Sequence, residues 1–459
     1  MKIISRRTFL HQTALASVGL GFAPTILAQV PGDRPGRSAG VTVLNPRGRV
    51  PVGLIIDDST CLVNLNHFAM PQFDAAFGGS NPVYRRNWRE WPREIPDAFV
   101  RRFGEWCAGQ GVKGKYSIVP YPACVGRLDR GLPGWSTQEL ADSLNLVRTL
   151  LLPNWDIHPE MCTHTRVIDV RTGHPYPEIS PKFMENWEWT TGRSVAEIAE
   201  YLAYSLRILK AVGLPCEGVT TPGGFGNRAL PQLAQATRES VRDVFGAEVP
   251  HYFRHLFDQG TESVAPRVEY AAGLAGADPR CVVSIIGCTG DWTGGWDNTA
   301  PEGADKFISA DLQHGRMVEV IGRGEPALMV AHWTGIYWNG RELGFQVFQE
   351  VVRRLHARFD HLIWMKLSEI SRYWAARELT RIERRGTFLE LQAPFAAPAF
   401  TLRLAGPVSG PPRLVRSGVA VALKEVPQLL RLESGTWCRE PAGIVVCFDL
   451  PKGASRLEW

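Results

Sequence analysis

Carboxylates and imidazoles recur at the ends of short apolar runs in this chain. Gly53-Leu54-Ile55-Ile56-Asp57-Asp58 sets two carboxylates where an apolar segment stops. Adjacent residues of an extended chain point opposite ways, so one carboxylate can hold a metal while its neighbour faces a bound water. The pair suits a helix N-cap or a solvated turn as well. Further on, the segment Asp156-Ile157-His158-Pro159-Glu160-Met161-Cys162-Thr163-His164 carries two histidines within seven residues. Neutral imidazoles with a carboxylate as third donor are a common ligand set for a divalent metal. Leu328-Met329-Val330-Ala331-His332-Trp333 places a histidine just past an apolar run. There it can protonate a leaving amine or alcohol, or serve the structure alone. Thr220-Thr221-Pro222-Gly223-Gly224-Phe225-Gly226 has glycines that permit close backbone approach to a ligand, or an ordinary tight turn. In Cys288-Thr289-Gly290-Asp291-Trp292, Asp291 can orient a catalytic group or hold a turn, and Trp292 can wall a sugar pocket.

These residues need elements to position them. Apolar runs at Val52–Ile56, Lys115–Val119, near Trp155–Pro159, Glu217–Thr221, Cys281–Gly287, Ala327–Ala331 and Leu362–Leu367 read as seven strands. Helical patterns lie between them, as expected for repeated βα units. Ser136-Thr137-Gln138-Glu139 and Ser194-Val195-Ala196-Glu197 are capping boxes, each followed by leucines and other apolar residues on one face. Phe99, Phe103 and Trp106 mark another helix, and Phe345, Phe348, Val352, Leu355 and Phe359 a fourth. Three long loops, Ser59 to Ile95, Thr165 to Arg193 and Gly290 to Pro326, leave the same ends of the strands and carry tryptophans. In a barrel that is the active-site face. After Arg385 the pattern changes to period-two alternation, and 386–459 reads as a small antiparallel β-domain.

The chain of 459 residues is 44% hydrophobic and 21% charged, ordinary for a globular core. Its net charge of +5 is spread without a long basic run, which argues against a nucleic-acid binder. Residues 1–28 read as a twin-arginine signal: Ser5-Arg6-Arg7-Thr8-Phe9-Leu10, then a weakly apolar stretch from Ala14 to Leu27, too short and Gly-rich to span a bilayer. The expected location is periplasmic or secreted, with the twin-arginine translocase as a partner during export and no stable membrane span. Residues 29–50, rich in Pro, Gly and Arg, read as a linker. The nine cysteines form no CxxC pair and are expected to be mostly free and buried, with a Cys438–Cys447 disulfide as an option.

Taken together, the strand-end motifs resemble the polysaccharide deacetylase superfamily, the NodB-homology fold, from about Val52 to Trp374. The resemblance implies an α/β fold, a distorted (β/α)7 barrel over 51–378. It implies that Asp57 is the catalytic base and that Asp58, His164 and His158 bind a divalent metal, zinc above others. Thr221, Gly223 and Gly224 match a groove-lining Pro-Gly motif, Asp291-Trp292 an Asp-Trp motif, and His332 the catalytic acid. The family spaces its two histidines four apart, whereas His158 and His164 stand six apart, and Thr220 stands where the family has Arg.

The function these features point to is an exported, metal-dependent hydrolase that removes N- or O-acetyl groups from a carbohydrate. Two other readings fit the same residues. One is a glycoside hydrolase on a related barrel, with Glu160 and Asp291 as its carboxyl pair. The other is a carbohydrate-binding protein that kept the barrel and lost the metal.

Overall fold

The computed structural model describes residues 34–58, 62–408 and 410–459. The signal segment 1–28 therefore lies outside the described residues. Val50–Asp57 is buried at all eight positions, which suits the centre of a parallel sheet. Ala327–His332 pairs along one side of it, with His332 opposite Asp57. Gly114–Ser117 and Leu362–Trp364 pair along the other, and Trp155–His158 extends the sheet beyond Gly114–Ser117. Gly114 has to be glycine, because a Cβ there would lie 1.9 Å from the Leu54 carbonyl oxygen.

A second sheet holds Gly218–Thr220, His251–Leu256 and Arg280–Gly287, all parallel, with Arg267–Ala272 antiparallel at its edge. The expected closed barrel is not formed. The parallel strands fall into two sheets that meet at two seams. At the first, the isolated Glu160–Thr220 bridge and the Thr220 N–H donating to the Pro159 carbonyl (3.0 Å) replace a ladder. Pro159 has no N–H to continue it. At the second, Cys288 N donates to Leu328 O (2.8 Å), while Val330 N turns to the Thr289 hydroxyl (3.0 Å). His251–Leu256 is a strand that the sequence pattern does not announce: His251, Arg254 and His255 interrupt its apolar residues.

The strand ends still share one rim, because every strand of the two sheets except Arg267–Ala272, and the bridge between the sheets, runs parallel. Helices pack outside. Ser136 and Ser194 close the expected capping boxes on Thr137–Leu146 and Val195–Ala211. Asp97–Gly109 and Leu343–Arg358 bury Phe99, Phe103, Phe345 and Phe348 in one aromatic cluster. No described helix is long and apolar enough to cross a membrane.

From Arg381 onward nine described strands, antiparallel except where Lys424–Glu425 pairs Thr436–Glu440, contribute to two five-stranded sheets. Leu389, Leu391, Leu402 and Phe448 share a core with Ile370, Tyr373 and Trp374 of the Leu367–Leu379 helix. Within the segment read as a linker, Val41–Val43 is an edge strand on Ala397–Ala405, and Tyr373 Oη donates to Leu44 O (2.7 Å). The eight described cysteines are all free, Cys438 and Cys447 included, and all but Cys124 are buried.

Candidate metal centre

Asp57 and Asp58 point to different partners, through a left-handed Asp58 rather than through an extended chain. Asp57 ends its strand fully buried, and its Oδ1 lies 2.5 Å from Lys115 Nζ. The same ammonium donates to Ile56 O (3.1 Å) and Ser117 Oγ (2.6 Å). Asp58 adopts a left-handed φ of 62°, which turns its carboxylate along the rim. Its Oδ1 lies 2.5 Å from His164 Nε2 and its Oδ2 3.5 Å from His332 Nε2. Glu160 completes the group. Its Oε2 accepts from Asp58 N (2.8 Å), and its Oε1 lies 3.4 Å from His164 Nε2.

One ligand atom from each of Asp58, Glu160 and His164 lies within 4.8 Å of the others, and all three residues are buried. Burial alone would push the His164 imidazole down, but the Asp58 and Glu160 carboxylates hold it well above its ordinary range. Even with His164 protonated, two carboxylates against one imidazolium leave negative charge excess in a buried place, which is costly. A divalent cation would balance that donor set, and carboxylate-plus-imidazole ligation is ordinary for such ions. The residues therefore fit a metal ion.

Glu185 holds His164 in place. Its carboxylate accepts from the backbone N–H groups of Cys162 (3.2 Å), Thr163 (3.0 Å) and His164 (2.5 Å), and from Tyr201 Oη. These bonds fix a turn in which His164 has a φ of 64°. Burial nevertheless pushes the Glu185 carboxyl up to about 7. On the other side of Asp58, His332 Nδ1 lies 2.7 Å from Asp291 Oδ2. That is an Asp–His pair whose second ring nitrogen faces the metal candidate.

Other expectations are corrected. His158 is not at this centre. It ends the strand Trp155–His158, two residues before Glu160, and its ring is buried inside the fold. Its Nε2 lies 2.9 Å from His251 Nε2, and its Nδ1 3.3 Å from Thr220 Oγ1. Burial pushes both imidazoles down, His251 to about 4 and His158 well below its usual value. Trp292, expected to wall a pocket, is 7% exposed and packs edge-on against Phe307. Thr221 is buried, its hydroxyl directed at Phe253 O (3.3 Å). Gly223 and Gly224 are required by the chain itself: a Cβ on either would lie 2.8 Å from Asn186 O. Each glycine admits the Asn186 backbone rather than a ligand.

Asn66, Lys115 and Glu185 around this centre are not singled out by the sequence motifs, and Glu160 is singled out only as half of a glycosidase carboxyl pair. A signal for Glu160 was present, since it stands four residues before His164, the spacing the resembled family uses between its histidines. Asn66 Nδ2 lies 3.5 Å from Asp58 Oδ2 and donates to Trp296 O (2.6 Å), which ties the first and third long loops together. Aromatic rings from all three loops then gather beside the centre. Phe73 is 6.4 Å from the His164 ring, and Tyr84 is 6.1 Å from Trp187 and 6.2 Å from Trp296, ring centre to ring centre. Tyr84, Trp187 and Trp296 are half-buried.

No family model matches the chain, and no curated protein matches it. Among solved structures, a protein from Parabacteroides distasonis, described provisionally as a glycoside hydrolase/deacetylase, aligns at 10% identity over 84% of this chain and 86% of its own, with a TM-score of 0.39. An alpha-fucosidase from Thermotoga maritima aligns at 10% identity over 91% of this chain and 97% of its own, with a TM-score of 0.28. At these scores neither likeness bears on what the chain does.

Proposed function

We propose that the chain is an exported, metal-dependent hydrolase that removes acetyl groups from the amide or ester of a carbohydrate. The observation that carries this reading is the convergence of Asp58, Glu160 and His164 beside the Asp291–His332 pair. Asp58, Glu160 and His164 would hold the cation, zinc by preference for this mixed set. A divalent ion held there would supply Lewis-acid chemistry, polarising an acyl carbonyl and lowering the pKa of water. Asp57, anchored by Lys115, takes the proton of the attacking water. His332, oriented through Nδ1 by Asp291, gives a proton to the departing amine or alcohol. Tyr84, Trp187 and Trp296 offer flat faces of the kind on which sugar rings stack. Residues 1–28 carry the chain out through the twin-arginine pathway, and export should fail when Arg6 and Arg7 are both lysine.

Glycoside hydrolysis needs two carboxyl groups disposed about a sugar bond. Glu160 and Asp291 are instead engaged with Asp58 and His332, which favours the deacetylase reading. Acetate release from acetylated oligosaccharides, together with elemental analysis of the purified mature protein, tests it. Asp58→Ala should remove one bound metal per chain and all measurable acetate release. Full turnover by metal-free protein, or release of new reducing ends without acetate, would sink the proposal.

A further inference from the structure

A second cluster of metal-capable side chains lies inside the fold, apart from the rim. Asp156, His158 and His251 each offer a ligand atom within 4.8 Å of the others, and all three residues are buried. The two Nε2 atoms approach to 2.9 Å. The His158 ring is oriented by Thr220 Oγ1 on its Nδ1 side, 3.3 Å away, which directs Nε2 inward. The Asp156 carboxylate is held at both oxygens by Ser368, by its backbone N–H (2.6 Å) and its hydroxyl (2.8 Å), with Lys366 Nζ 3.8 Å away. Partners of this kind, which aim a ligand without touching the ion, accompany bound metals. Gly218 lies where the imidazoles converge: a Cβ there would stand 2.7 Å from His158 Nε2 and 2.6 Å from His251 Nε2. A side chain at position 218 would close that space.

The location gives such a site a purpose. Asp156 and His158 belong to the last strand of one sheet, whereas His251 belongs to the other sheet, with Gly218–Thr220 between them. This is the seam where Pro159 interrupts the ladder and an isolated bridge joins the sheets. We infer that Asp156, His158 and His251 form a second, structural site for a divalent transition metal that fastens the two sheets across this seam. Two imidazoles and one carboxylate suit zinc, with water as a fourth ligand. The side chain of Asp156 keeps 10% of its surface exposed and marks the way in. The site is independent of the rim centre and of the proposed reaction.

The competing account is a plain hydrogen bond between two neutral imidazoles, and metal counting separates the two. Full-length mature protein, refolded with zinc and dialysed, should hold an equivalent that survives Asp58→Ala and His164→Ala but disappears in His251→Gln. In the His164→Ala protein, Co2+ added to the metal-free form should give the visible absorption of a four-coordinate site. Asp156→Asn, which retains the shape of the side chain, should weaken that signal at least about tenfold in affinity. It serves as the test should His251→Gln fail to fold. Zinc should also raise the melting temperature of the His164→Ala protein by several degrees, since a ligand of the folded state alone stabilises it. Metal retained only when Asp58 and His164 are intact, with no Co2+ signal in His164→Ala, would overturn the inference. Metal lost only with His251→Gln would uphold it and would count instead against the rim centre.

Discussion

The rim centre and the interior cluster are both built from carboxylates and imidazoles, and the strand Trp155–His158 with the turn after it feeds both, yet they differ in charge and surroundings. At the rim, two carboxylates meet one imidazole, an Asp–His pair stands alongside, and half-buried rings from three loops gather near. In the interior, two imidazoles meet one carboxylate, with Ser368, Lys366 and Thr220 among the polar neighbours. The rim cluster carries excess negative charge that calls for a cation, and it has a residue able to move a proton. The interior cluster lies at the junction of two sheets, and the donors around it, Ser368 and Lys366, are spent on holding Asp156. Two residues of chain, from the strand end at His158 to Glu160, separate the two clusters.

Exchanging the two roles breaks the comparison most sharply. Glu160→Ala should cost turnover at least about a thousandfold, since it removes a metal donor and leaves Asp58 and His164 unbridged. His158→Gln should act on stability, lowering the melting temperature by several degrees while acetate release per folded molecule stays within about threefold. Steady-state kinetics beside thermal melts read both. If His158→Gln matches Glu160→Ala in lost turnover, the division between rim and interior is wrong.

A smaller effect should come from Glu185, which touches no proposed substrate. In Glu185→Gln an amide replaces one oxygen that accepts from the Cys162–His164 turn, and one N–H then faces another N–H. Loss of that orientation should weaken zinc binding about 10- to 100-fold, with turnover restored by excess zinc. The reading fails if zinc affinity is unchanged while only the melting temperature falls, for then Glu185 braces the loop without aiming His164.

Much of the rim was legible because its residues obey a simple rule: a short apolar run, then a polar side chain. Asp57, Asp58, His332 and Asp291 follow it and meet at the strand ends. His164 lies farther out, on a turn that Glu185 holds, and the pairing of carboxylate with imidazole pointed to it. What the rule could not supply was depth. His158 also ends a strand, yet it faces inward because the chain rises one more step before reaching the rim at Glu160. Its partner His251 sits on a strand whose pattern His251, Arg254 and His255 obscure, so neither the second sheet's full width nor the interior pair could be anticipated. The seams depend on Pro159 and on Thr289 taking a ladder hydrogen bond, and period-two patterns do not register either. The glycines of 223–224 were read as room for a ligand because a sequence does not say which backbone approaches; here it is Asn186.

The smallest predicted effect concerns two tryptophans that looked alike as loop residues. Trp292 is buried on Phe307, whereas Trp187 is half-buried, with ring centres 4.5 Å from Phe77 and 5.2 Å from Phe73, whose own ring approaches His164. If the aromatic rim carries sugar rings, Trp187→Ala should raise KM for an acetylated oligosaccharide by about three- to tenfold, the worth of one lost ring contact. Turnover at saturation and zinc content should stay within about twofold, because no metal donor moves. Trp292→Ala should instead leave a cavity and cost about 3–5 kcal/mol of stability. An unchanged KM in Trp187→Ala would reduce the three-loop cluster to packing, and the case for a carbohydrate substrate would then rest on the metal centre alone.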